Sequence, residues 1–370
     1  MPNWGDLDAA ARPVFLTGPS GAFNPTPPPP PATHGSLYYA AVDPGGTKKT
    51  LGNWWQANGF DPATGGANGN PSFVSQAYLN HNDLGFGRNM NCLKNGSNLA
   101  CYVTNYGLPD NNLNNADLAV AAAEQDRRAT VAMEFDSAGT VAPGVDERVQ
   151  FYVYAGGVAA SPRLEFADLD GFGPKPVPYL CMVCHGGKPM LSSSGKANQS
   201  RFREFDLPSF RYSGGRQWDY NQSPPVLNTT EFANFAKLNK LVRDIHPTFP
   251  IGDLIDRWYA TVGSNVPAEP TPPPGWSTSP DGYHIVYGQS CRTCHIARDE
   301  GAGSSAPFVF GSLSGGFPFT STSYAVCGSG PQKRRIMPNA VVTYSNFWKD
   351  TPRVTAYEQL VGVPLGTCKD

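Results

Sequence analysis

Between residues 130 and 154 apolar and polar positions alternate with the period of a β-strand. Val131, Met133 and Phe135 alternate with Thr130, Ala132 and Glu134, and Val149, Phe151 and Val153 alternate with Arg148, Gln150 and Tyr152. The intervening "SAGTVAPGVDE" is rich in turn formers, so the two runs are predicted to pair as an antiparallel hairpin. "CYVTNY" (101–106) and "LYYAAV" (37–42) are further strand candidates, interrupted by one short helix over about Asn115 to Asp126. Farther along, the period changes to that of a helix. Asn228 to Ile245 places Phe232, Phe235, Leu238, Val242 and Ile245 on one face, with Thr229 or Thr230 as the cap. A second helix, Ile251 to Val262, carries Leu254, Ile255, Trp258 and Tyr259. Ser279-Pro280 reads as a cap followed by proline at the first helical position, opening an amphipathic run through Tyr283, Val286 and Tyr287 to Cys291. Thr351-Pro352 repeats that start signal before "RVTAYEQLVG". The pattern predicts an α+β fold, with a β- and loop-rich N-terminal half followed by mainly helical regions.

Composition narrows the class. Gly 40 and Pro 36 together make up about a fifth of 370 residues, above ordinary usage but below the roughly 25–30% that goes with disorder, so a folded chain with much irregular backbone is expected. Charged residues are only 16% and the formal net charge is −2. A nucleic-acid binder would need a net basic face to displace counterions from phosphates. The longest aliphatic stretch, Leu118 to Ala123, is far short of the ~18 residues of a membrane span.

The cysteines change the picture most. Cys181-Met182-Val183-Cys184-His185 and Cys291-Arg292-Thr293-Cys294-His295 are two copies of C-x-x-C-H, the attachment signature of c-type haem. With 8 Cys and 6 His in the chain, roughly 0.003 such matches are expected by chance, so two copies are not accidental. Two thiols three positions apart can form thioethers to the two vinyl groups on one porphyrin edge, and the adjacent His can place an imidazole nitrogen on the iron. A zinc ribbon would put its two knuckles about 15–20 residues apart, whereas these lie far apart at 181 and 291, and a thioredoxin-like pair needs no following His. Two covalently attached haems are therefore expected, bound through Cys181, Cys184, Cys291 and Cys294, with His185 and His295 as iron ligands.

Two proline runs, Pro27 to Pro31 and Pro270 to Pro274, favour extended spacers. The second divides the motifs. The expected organisation is a β-rich, irregular region at 1–165, a first haem-binding region at 166–266, a Pro-rich linker at 267–278 and a second haem domain at 279–370. Haem is attached to such motifs outside the cytoplasm, where thiols oxidise. Locality then favours Cys92 with Cys101 across an Asn-Gly turn and Cys327 with Cys368, out of three pairings. "MPNWGDLDAAARPVFLTG" lacks the charged start and apolar core of a secretion signal, so the numbering is expected to begin after a signal removed or omitted. A periplasmic or cell-surface location follows from the haem chemistry.

From Ser279 onward, about a quarter of the chain resembles a monohaem, class I cytochrome c domain. The resemblance rests on the helix ending in Cys291 to His295, on Met337-Pro338, and on the C-terminal helix with Tyr357 and Leu360. It implies that the first and last helices cross and pack, and that Met337 supplies the sixth iron ligand. Tyr287 stands where the family has an aromatic, but position 283 is Tyr, with Gly at 282, where the family has a small residue. Met337 also lies 42 residues beyond His295, ample chain to reach the other haem face. For the first haem the sixth-ligand candidates are Met90, His246, Met190 and His81. Met90 leads, because a Cys92–Cys101 bridge would pin its loop, and His246 follows. Met190 is only five residues past His185, at most ~17 Å of extended chain. His34 and His284 read as ordinary surface or helix residues, and the acidic stretches Asp168–Gly171 and Asp110–Asp117 as turns and caps, not calcium loops. The basic run Lys333-Arg334-Arg335 reads either as a solvated turn or as a cluster at the haem edge, meeting an acidic partner or a propionate.

A haem closed by two protein ligands transfers electrons, and an open one binds small molecules. The leading expectation is an exported di-haem electron carrier between a redox protein donor and acceptor, with no catalytic residue and with assembly into an oligomer left open. The alternatives are a di-haem peroxidase-like enzyme with one open haem, and a haem-bearing docking subunit of a dehydrogenase or cell-surface assembly.

Overall fold

The computed structural model describes residues 31–67, 69–122, 124–169, 174–187, 194–221, 225–247, 250–269, 271–272, 282–297 and 341–366. Its centre is a six-stranded antiparallel sheet built from β1 (Phe73–Asn80), β2 (Gly87–Asn95), β3 (Asn98–Tyr106), β4 (Arg127–Phe135), β5 (Val149–Tyr154) and the short β6 (Phe210–Arg211). The spatial order is β6-β1-β2-β3-β4-β5. The predicted hairpin is β4 with β5, in the register Thr130↔Tyr154 to Phe135↔Val149. Because directly paired residues share a face, the disulfide-bonded pair Cys92↔Cys101 continues the row Met90↔Val103 and Val103↔Val131. This is the predicted Cys92–Cys101 bridge, across a two-residue turn in which Gly96 has φ of 60°. Cys327 and Cys368 lie outside the described residues.

Helices cover both faces of the sheet, so the polar positions of the alternation are not solvated. Helix α1 (Pro31–Val42) and helix α2 (Leu51–Ala57) cover one face, where Trp54 packs against Tyr102 and Tyr152. Glu134 points to this side and is held by the Lys48 ammonium at 2.5 Å and the Tyr152 hydroxyl at 2.9 Å. The segment "LYYAAV", read as a strand, is instead the second half of α1. The reason is tertiary: the Phe151 N–H donates to the Tyr38 hydroxyl at 2.7 Å and the Val153 N–H to the Tyr39 hydroxyl at 3.2 Å. The two tyrosines thus occupy the open donors of edge strand β5 from a helix, where the sequence pattern suggested another strand.

Helix α3 (Asn114–Ala121) packs at the β1–β2 end of the sheet, and a short 3₁₀ turn, Glu124–Asp126, follows it. The opposite sheet face carries α4 (Tyr179–His185), α5 (Thr229–Ile245) and α6 (Pro250–Trp258). The α5 cap is Asn228, not Thr229 or Thr230. Its side chain accepts from the Glu231 N–H while Glu231 reaches back to the Asn228 N–H, a reciprocal pair that neither threonine provides. Tyr78, Phe205, Phe210 and Phe235 form an aromatic cluster that joins β1, β6 and α5. One continuous core runs from Tyr38 to Trp258 and takes in Ile296 and Ala297, so the stretches 31–165 and 166–258 pack as one unit.

A π-helical segment, Gly282–Cys291, runs on as α7 (Arg292–His295); α8 (Val341–Lys349) and α9 (Thr351–Val361) follow. Val286, Phe347, Ala356 and Tyr357 make a second, smaller core, through which α9 packs on the π-helical segment. The α9 cap is Asp350, whose carboxylate accepts from the Arg353 N–H, one residue before the expected Thr351. No helix of the described residues is long and apolar enough to cross a membrane.

Candidate functional site

Helix α4 ends at His185 because Gly186 follows with φ of 66° and Gly187 with φ of 94°. A Cβ at Gly187 would meet the Asn198 carbonyl at 2.6 Å, so only glycine lets the chain pass here. The chain then returns alongside its own helix end. The Arg201 N–H donates to the His185 carbonyl at 2.8 Å, and the Arg201 carbonyl lies 2.9 Å from His185 Nδ1. A carbonyl only accepts, so Nδ1 carries the proton and the lone pair is left on Nε2. Burial, then the charge of Arg203, pushes the His185 pKa down to about 3, so the ring is neutral, as an iron ligand must be.

Segment 201–206 is clamped from behind by α5. Asn239 is fully buried and brackets Phe205, accepting from its N–H at 2.8 Å and donating to its carbonyl at 3.0 Å. His246 Nε2 accepts the Phe202 N–H at 3.1 Å. His246 is therefore committed to the backbone behind the site and is not among the residues that line it. Burial, then the charge of Arg201, pushes the His246 pKa down to about 3. The folded state thus binds this proton more weakly than the unfolded chain, whose His titrates near 6.5. Stability from this group is complete above about pH 6.5 and is lost as pH falls toward about 3, at up to ~1.4 kcal/mol per pH unit. His246→Leu should cost about 1–3 kcal/mol near neutral pH by stranding the Phe202 N–H, and should lessen the acid dependence by that slope. Urea unfolding across a pH series checks both.

Between α4 and the uncovered part of the sheet lies a cleft of about 1150 Å³, open mouth included. Tyr78, Met90, Val103, Val131 and Met133 form the sheet wall, and Leu180, Cys181, Cys184 and His185 face them. Met90, placed by β2 next to the Cys92–Cys101 bridge, therefore shares one cleft with the first motif. Cys181, Cys184 and Cys291 carry thiols, not disulfides, and burial pushes the Cys181 thiol pKa up. Cys184 Sγ is 3.8 Å from Asp83, which pairs with Arg88 at 3.1 Å. Arg203, Glu204 and Asp206 complete the lining from the clamped segment.

The second motif meets the first. Helices α4 and α7 pack together, and Thr293 and Gly288 reach the cleft wall. Arg292 is 5% exposed, pairs with Asp206 at 2.8 Å and lies over the Trp258 ring at 5.4 Å. Cys291 packs at the smaller core, and Cys294 and His295 lie in α7. Met337, Met190 and Lys333 to Arg335 lie outside the described residues. His81 is half-buried in the turn after β1 and does not line the cleft. His34 is buried within α1 against the Tyr179 ring, not at the surface. Asp110 accepts from the Asn112 N–H as a turn residue. Among the described residues no three His, Cys, Asp or Glu side chains gather as a metal cluster.

Glu204, Asp206 and the pairing of Arg292 were not foreseen. The faint signal was "RFREFDL", where charges sit between three large apolar residues in a chain otherwise poor in charge. Comparison with family models, curated proteins and solved structures finds no match.

Proposed function

We propose that the chain is an exported di-haem c-type cytochrome that carries electrons between a redox donor and a redox acceptor. The observation that supports this most is the first motif's setting. Two thiols one helical turn apart and a neutral imidazole with its lone pair on Nε2 face a largely apolar cleft with a methionine on the opposite wall. These residues fit a haem by the chemistry of the donor set. When bound, the haem supplies a one-electron iron centre whose potential follows its ligands and surroundings.

The chain's own residues do the rest. Cys181 and Cys184 would hold the haem covalently, His185 and Met90 would supply ligands to its iron, and Tyr78, Val103, Val131 and Met133 would exclude water. Arg88, paired with Asp83, and Arg203 line the cleft together with Glu204 and Asp206. His185 is oriented by the Arg201 carbonyl, an outer hydrogen bond that raises ligand basicity. The second haem is assigned to Cys291, Cys294 and His295, with Met337 as sixth ligand. The packing of α4 on α7 sets the two motifs on neighbouring helices, which supports passage of an electron between haems held there. The Cys92–Cys101 bridge supports an oxidising compartment.

The test is intact mass after acid-acetone extraction, which strips any haem not covalently bound. Two haem additions are expected, and the mass of the bare chain would overturn the proposal. Low-spin optical and EPR signals from both irons would accompany electron carriage. A high-spin first haem would favour the peroxidase-like alternative.

A further inference from the structure

Glu204 is the one carboxylate of the cleft that no cation fully pairs. Its side chain is 1% exposed, and its Oε1 lies 3.6 Å from both Arg203 and Arg292, beyond hydrogen-bonding range. Its Oε2 is buried with no hydrogen-bond partner among the described residues. The neighbouring charges are otherwise engaged: Arg88 with Asp83 at 3.1 Å and Arg292 with Asp206 at 2.8 Å. From the π-helical segment the buried Tyr287 lies within electrostatic reach of the same carboxylate. A buried polar atom left without a partner costs about 1–3 kcal/mol, and more when charged, so an arrangement of this kind needs an explanation in use.

Resting on the di-haem reading, we infer that Glu204 is a redox-linked proton site that takes up one proton when the first haem accepts an electron. An external one-electron donor reduces ferric iron to ferrous, adding one negative charge to the cleft. A solvent proton entering through the cleft mouth converts the Glu204 carboxylate to the acid, so the pair adds no net charge. The physical basis is that a charge added in a poorly solvated space raises the proton affinity of a nearby acid. Burial already pushes the Glu204 pKa up, ahead of the opposing pull of Arg203 and Arg292. The electron carrier would then move a proton with the electron, favouring donors that release both, such as a quinol or a dehydrogenase flavin.

The test is a potentiometric titration of the haems, followed optically, across the pH range in which the protein stays folded. The first haem's redox equilibrium constant should fall up to tenfold per pH unit, a slope of about 59 mV, over part of that range. In Glu204→Gln the slope should vanish while the visible spectrum is kept. The infrared difference spectrum of the unsubstituted protein, reduced minus oxidised, should gain a protonated-carboxyl band that shifts in D₂O. This second measurement holds even if the Gln variant does not fold. A pH-independent potential in the unsubstituted protein, a slope unchanged in Glu204→Gln, or no such band would overturn the inference with the haem assignment intact. A chain that carries no covalent haem would overturn both.

Discussion

On the di-haem reading, replacing Cys181 and Cys184 together by Ala should lower the covalent haem count from two to one. Both thiols lie on α4 within one turn, and without them a haem held there would have no covalent tie to the chain, so acid-acetone would strip it. The second motif lies on a different element, with Cys291 set against the smaller core, so its attachment should persist. Intact mass gives the count directly. Retention of two additions would show that the cleft is not an attachment site, and loss of both would show that the second depends on the first. The variant should also be less stable, because a haem's iron–ligand bonds and packing would form only in the folded state. The expected sign is a lower urea midpoint with the sheet retained. His185→Ala, by contrast, should keep two covalent haems and change the spin state of one.

Much of this architecture was legible because it follows short-range periodicity. The alternation at 131–135 and 149–153 gave the β4–β5 pair, and Phe232, Phe235, Leu238, Val242 and Ile245 gave α5. The Cys92–Cys101 pair was legible because a disulfide demands close approach of its two residues. Met90 was reached by proximity to that bridge, and it does line the cleft. What escaped depends on partners remote in sequence. Tyr38 and Tyr39 are strand-like by composition, and only the free N–H groups of Phe151 and Val153, more than a hundred residues away, make a helix the better host. His246 was a reasonable ligand candidate at a helix end. Its true task, accepting from the Phe202 N–H, is invisible without knowing that segment 201–206 returns past it. Likewise Arg292 inside the second motif carries no mark in sequence of its partner Asp206, 86 positions earlier.

That last contact carries the second large effect. Arg292→Leu should destabilise the protein by about 3–5 kcal/mol, the usual cost of removing one partner from a buried ion pair. Asp206 is nearly as buried as Arg292, and apart from the arginine its carboxylate keeps the Ser209 hydroxyl at 2.5 Å. Losing the guanidinium leaves Asp206 charged and dry and deprives Glu204 of one of its two cations. It also removes the stacking over Trp258 at the end of α6. The loss should not be confined to local packing. Arg292 is the residue through which the second motif's helix is tied electrostatically to the core that holds the first, so detachment of α7 is the expected mode of failure. Hydrogen exchange should accordingly rise first in the π-helical segment and α7, before the six-stranded sheet. A double variant, Arg292→Leu with Asp206→Leu, should recover a substantial part of the loss, because an apolar pair leaves no unpaired charge behind. If the double variant is as unstable as the sum of the singles, the pair is not the source of the effect and the packing of Arg292 on Trp258 must be.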